Sequence, residues 1–158
     1  MKPGNFGAAQ IPSDDAGVGQ TFTNALGQKC IMLYCASGFT QYQPYVVDQG
    51  ATGPIAGAPA TLAVNACKVA VPQGTTTTTA GWYEFVVGGQ CEALVDGTTD
   101  VAAGAFLEVL NAGTALVLDH ATAATEGAVG FAIDAVTADA ATQATVYLLD
   151  RFAQVAAA

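Results

Sequence analysis

Few side chains in this chain could do acid–base or nucleophilic chemistry. The single histidine, His120, stands beside Asp119, and the only serines are Ser13 and Ser37. A Ser-His-Asp arrangement needs its nucleophile exposed at a sharp turn with a base in reach. Ser13 lies in a Gly/Ala-rich stretch and Ser37 beside Gly38, and neither has that context. Cys30, Cys35, Cys67 and Cys91 each allow a formal Cys–His dyad with His120. They form no Cys-x-x-Cys pair, so a tetrahedral zinc ion would have to gather ligands from three distant segments. Buried, reduced thiols that pack as small hydrophobes are the expected state.

Two other groupings invite a chemical reading. Asp96 and Asp100 flank Gly97-Thr98-Thr99, but the longer alternating acidic series and closing Glu of a calcium loop are missing. Asp followed by Gly is also what a β-turn selects, since Asp caps the turn and Gly takes positive φ. Trp82, Tyr83 and Phe85 could form a sugar-stacking platform. Strand alternation, however, puts Trp82 on one face and Tyr83 with Phe85 on the other, so part of the cluster belongs to a core. No Gly-x-Gly-x-x-Gly opens a helix and no phosphate loop with its Lys is present. The expectation is a non-enzyme with no cofactor and no metal.

The elements that would position a site must be built from an unusual composition. The chain has 158 residues, 52% of them hydrophobic but only 11% charged, with a formal charge of −9. That length favours one domain with a sizeable core. Thirteen acids stand against Lys2, Lys29, Lys68 and Arg151. Four scattered cations cannot neutralise a run of phosphates, so no nucleic-acid partner is expected, and an anionic membrane surface is disfavoured for the same reason. The most apolar stretches, such as residues 127–136, are interrupted by acids before the ~20 residues of a membrane-spanning helix. Residues 1–7 lack the apolar run of a secretory signal, so synthesis in a cytoplasm is expected.

Residues 1–28 show no sustained periodicity and read as an extended N-terminal arm, with Phe6, Ile11, Val18 and Phe22 as isolated apolar anchors. Residues 29–152 read as the body and 153–158 as a tail. In the body, residues 30–35 and 44–48 are strand-like, 49–59 is a Gly/Ala/Pro loop, and 61–71 alternates. The threonine run 75–79 suits an exposed edge or loop. Gly88-Gly89 between the apolar runs 82–87 and 90–95 predicts a hairpin turn. Further strands are expected at 105–110, 114–118, 129–136 and 144–149. Short helical turns could form at Ala123-Ala124 and Ala140-Ala141. Strands recurring every ten or so residues predict an all-β fold, a small β-barrel or β-sandwich with at most one short helix.

The stretch from Glu92 to Val109, EALVDGTTDVAAGAFLEV, resembles the head decoration, or cement, proteins of tailed bacteriophages. In that family a strand ends in an Asp-Gly-Thr turn, an Ala-Ala-Gly step follows, and another strand begins. The strand at 130–136 and the last strand before Arg151 fit the same plan, and the likeness covers roughly residues 80–152. It implies a structural virion subunit on the outside of an icosahedral head, with the major capsid protein as partner. It also implies self-association, a trimer at local threefold positions foremost, and an arm that orders against the capsid protein. No family motif matches within residues 1–28; if the arm acts so, Phe6, Ile11, Val18 and Phe22 are the contact residues. Two other readings remain open. A phage tail or fibre component would share the composition. A carbohydrate-binding β-module would use Trp82 and Tyr83, whereas a swinging-arm carrier lacks a lysine at a hairpin tip, since Lys68 sits in a strand-like run.

Overall fold

The structure is a computed structural model. It describes residues 21–50, 53–59, 69–109, 116–118, 128–137 and 140–150. All elements among them are strands and none is a helix, so the all-β expectation is borne out. They are β1 (Thr21–Thr23), β2 (Lys29–Cys35), β3 (Tyr45–Gly50), β4 (Gly53–Pro59), β5 (Val69–Pro72), β6 (Gly81–Asp96), β7 (Phe106–Val109), β8 (Leu116–Leu118), β9 (Gly130–Ala132) and β10 (Ala141–Leu148).

Strand pairing runs in two circuits that share β6. One passes β2-β4-β3-β5-β6 and returns from β6 to β2; the other passes β6-β10-β9-β7-β8 and returns from β8 to β6. Neither closes into a hydrogen-bonded barrel. The β2–β4 junction is the single parallel pair Tyr34 with Ile55, and the β6–β8 junction is the single parallel pair Val95 with Leu116. All other pairings between these strands are antiparallel.

The shared strand corrects the hairpin expectation. Residues 81–96 form one continuous strand, and Gly88-Gly89 lies in its middle instead of at a turn. Gly89 does take a left-handed φ of 95°. The glycines make a break in direction, because Lys29 lies opposite Gly88 while Cys30 lies opposite Val86, leaving one extra residue on β6. Such a bulge bends and twists a strand. Before it, β6 pairs with β2 and β5; from Gly89 onward it pairs with β10, from Leu148 opposite Gly89 to Ala141 opposite Asp96. Gly88 is small for a second reason, since a Cβ there would sit 3.0 Å from that of Asp150.

Where β2 and β5 leave β6, side chains take their place. Gln28 donates its amide to the Gln90 carbonyl at 2.8 Å. Gln73 donates to the Glu92 carbonyl at 2.9 Å and accepts from the Glu92 N–H at 3.0 Å, as a paired strand would. The Leu94 N–H donates to the Tyr42 carbonyl at 2.9 Å. Alternate residues of one strand edge are thus satisfied in turn, which buried or half-buried backbone groups require.

The core follows the same division. Ile31, Leu33, Phe39, Tyr45, Phe85 and Val87 fill the space between β2, β3, β5 and β6. Phe39 and Tyr45 both meet Phe85 edge to face, with ring centres 5.6 and 5.8 Å apart. The larger cluster is aliphatic, with Cys91, Val95, Leu107, Val109, Val146 and Leu148 joined to Val71 and Val86 from the first circuit.

Other expectations shift in detail. The Gly/Ala/Pro segment 49–59 is not a loop but carries the β3–β4 hairpin, with Gly50 opposite Gly53. Ala141 opens β10 instead of a helical turn. Of the threonine run, Thr77 bridges Phe39, and the rest lies outside named strands. Val136 bridges Val101, extending the 129–136 reading past β9.

Two substitutions test this frame. Gly89→Val should lower stability by about 2 kcal/mol, because a β-branched residue resists left-handed φ. Gln73→Ala should lower it by about 2 kcal/mol through the orphaned Glu92 amide and carbonyl. Urea unfolding reads both, and an unchanged midpoint would remove the respective assignment.

Candidate functional site

The groups that could carry chemistry are dispersed or buried. Cys30, Cys35 and Cys91 are free thiols, each at most 4% exposed. Burial pushes the Cys35 and Cys91 thiols up to about 12, with Glu92 adding to the effect on Cys91. Burial raises Cys30 as well, helped by the charge of Glu84 and a hydrogen bond to it. A nucleophilic thiol needs the opposite, a lowered value in an exposed electropositive setting. Among the described residues no group of three or more His, Cys, Asp or Glu side chains could hold a metal ion. His120, Ser13, Cys67 and Lys68 lie outside the described residues.

The remaining candidates are structural. Trp82 is only 7% exposed and packs on Met32 with Tyr34 and Phe22, whereas Tyr83 joins Phe39 and Phe85 on the opposite side. Trp82 and the Tyr83–Phe85 pair lie on opposite faces of β6, as alternation requires, and no sugar platform forms at Trp82. Asp96 accepts the Thr98 N–H at 2.9 Å, the Asx turn its Gly-Thr context suggested. These bonds from Thr98 hold the Asp96 carboxyl below its ordinary range.

Of the four expected partner-contact residues, Phe6, Ile11 and Val18 lie outside the described residues. Phe22 sits in β1, half-buried, opposite Cys30 of β2 and packed against Met32 and Trp82. Within the chain it is therefore a contact of the body. The turn after it is fixed by Asn24. Its side-chain oxygen accepts the Leu26 and Gln28 N–H groups at 3.0 and 3.1 Å, and its amide donates to Gln28 Oε1 at 2.7 Å and Glu84 Oε1 at 2.9 Å. Pairing, core packing and this node tie residues 21–28 to the body.

The second circuit presents one regular outward face. On the second half of β6 and on β7, β9 and β10, residues alternate inward and outward. Cys91, Leu107, Ala132, Val146 and Leu148 are buried, and their neighbours face out. Register lines three aromatics in one outward row: Phe106 opposite Phe131, and Phe131 opposite Tyr147. Phe106 and Tyr147 are each 42% exposed. Phe131 and Tyr147 stack with centres 5.2 Å apart and planes 13° apart. Sequence reasoning missed this row because its members lie on three strands whose register it could not fix. The available signal was that each aromatic neighbours an inward-facing Leu107, Ala132 or Val146.

The thiols give a pH test. Their folded values lie above the ordinary 9.0, so the unfolded chain ionises first as pH rises. The contribution is complete below pH 9 and should be lost progressively between pH 9 and about 12, read as a falling thermal midpoint. At pH 8, Cys30, Cys35 and Cys91 should resist iodoacetamide until the protein is denatured; rapid native alkylation would contradict their burial.

No known family's profile matches the chain, and no curated protein matches it. Among solved structures, the chain is similar to the N base of the head fiber gp8.5 of bacteriophage phi29. The likeness has a TM-score of 0.50 at 14% identity and covers 77% of this chain and 93% of that one. It is a likeness of fold, and it joins this all-β arrangement to one seen in a phage head fiber.

Proposed function

We propose that this chain is a structural protein of a bacteriophage virion, working as a decoration or cement subunit on the outer surface of the head. The observation that carries the reading is the shared fold with the phi29 head-fiber base across nearly all of that base. The decoration-like Asp-Gly-Thr turn supports it from a second direction. Its Asp96 forms the Asx turn between β6 and the Val101 bridge that leads to β7. The partners in this reading are the major capsid protein and other copies of the chain, most simply as a trimer. A cement subunit does no catalysis and uses no cofactor. Its negative charge suits the outside of a shell, away from packaged DNA. Modest contacts multiply when one oligomer engages several shell subunits at once.

A second reading, the base of a head fibre, is favoured by the nature of the phi29 neighbour itself. The two differ in occupancy and effect. A cement subunit saturates a repeated lattice position and raises the shell's resistance to heat, whereas a fibre base can attach without stabilising the shell.

Purified chain should bind mature, expanded shells lacking it, at micromolar concentration, to a fixed ratio per capsid subunit. It should bind immature shells weakly and raise the disruption temperature of the expanded ones. Saturation without that rise would favour the fibre base, and binding to neither shell would remove both readings. Light scattering of the free chain should give a trimer mass; a monomer would discard the oligomer.

A further inference from the structure

The outward row Phe106–Phe131–Tyr147 is the feature of the described surface that the fold itself does not explain. Each strand beneath it has already buried its inner face, so the row adds nothing to that core. Exposed aromatics grouped on one sheet face mark a surface meant to be covered.

The charges around the row indicate what covers it. Glu108 lies two residues beyond Phe106 on the same face of β7. On the other flank Thr145, two residues before Tyr147, lies opposite Glu92 and donates its hydroxyl to Glu92 Oε1 at 3.2 Å. Gln143 donates to the other Glu92 oxygen at 3.3 Å, so this carboxylate is held in place at the rim. Asp134 lines the same hollow as Glu92 and Thr145. The row is therefore an apolar ridge with carboxylates on both flanks.

Two occupants fit this poorly. A sugar ring stacks on an aromatic face, but Phe131 and Tyr147 stack on each other, so each already has one face taken. A second copy would bring an acidic rim against a chain holding thirteen acids and four cations, and like charges across an interface are costly.

We propose that the outer face of β7, β9, β10 and the second half of β6 docks a different protein, one whose surface is apolar at its centre and carries Lys or Arg at its rim. This inference rests on the virion reading above and names the face that meets the shell. Phe106 and Tyr147 supply the buried anchors, and Glu92 and Glu108 steer and orient the partner. Rim charges of this kind act mainly on association rate and salt dependence.

The test uses the full chain and expanded shells assembled from the major head protein encoded with it. The variants are Phe106→Ser with Tyr147→Ser, and Glu92→Gln with Glu108→Gln, each first checked for an unchanged thermal midpoint. The aromatic pair should weaken shell binding about tenfold or more. The carboxylate pair should flatten its decline with added sodium chloride. As an internal control for folding, the single variant Tyr147→Phe should bind as wild type does. Wild-type binding that neither double variant alters would overturn this docking face while leaving the virion reading intact. Absence of wild-type binding would overturn both. An oligomer that dissociates in the aromatic variant, with shell affinity per subunit unchanged, would make a second copy the occupant and would also overturn the proposal.

Discussion

One strand has to be broken without being ended. At about 3.3 Å per residue, the 16 residues of β6 would span roughly 50 Å if straight. A compact domain of this length has a radius of gyration of about 15 Å, or about 40 Å from side to side. The strand must bend, and the Gly88-Gly89 bulge is where it does. That bend divides the pairing into two circuits. It also creates a stretch of β6 edge that β2 and β5 no longer cover. The Gln28 and Gln73 amides and the Tyr42 carbonyl exist in their places because that edge needs partners. A sequence that let β6 run straight would lose the second circuit and its core.

The halves of β6 then differ in what they ask of their neighbours. Before the bend the strand is buried on both sides, with Phe85 and Val87 in the aromatic cluster and Val86 in the aliphatic one. β2 behaves likewise, sending Cys30 to one cluster, Ile31 and Leu33 to another and Met32 to Trp82. Strands covered on both faces read as continuous apolar runs. After the bend, one face is core and the other is open, and the sequence alternates cleanly. Cys30 and Cys35 suit the two-sided strand β2, since a cysteine fills little volume and stays neutral there.

This division explains what the sequence made legible. Residues 90–95 and 144–149 were readable as strands because one open face preserves a period of two. β2 was readable from length and apolar content alone. β4 was not, because its Gly, Pro and Ala residues resemble the loop around them. Its pairing with β3 rests on tertiary context, and its prolines are tolerated because only one residue pair joins it to β2. Gly88-Gly89 reads as a turn in sequence for a specific reason. Positive φ at a glycine pair serves a bulge as well as a turn, and only the partner strands decide between them. The aromatic row was invisible for the same cause, since register is a property of pairs of strands.

The edges narrow how such a molecule can assemble. An exposed sheet edge recruits another strand most readily when it is long and free of proline. β1 has three residues, β8 has three, and β4 carries Pro54 and Pro59. Each is a poor template for main-chain addition, and the seam of glutamines blocks the edge that the bend exposes on β6. Among the described residues, the sheet faces therefore offer a partner more than the strand edges do. In the docking reading proposed above, the face that the second circuit turns outward, apolar along one row and acidic beside it, selects the partner.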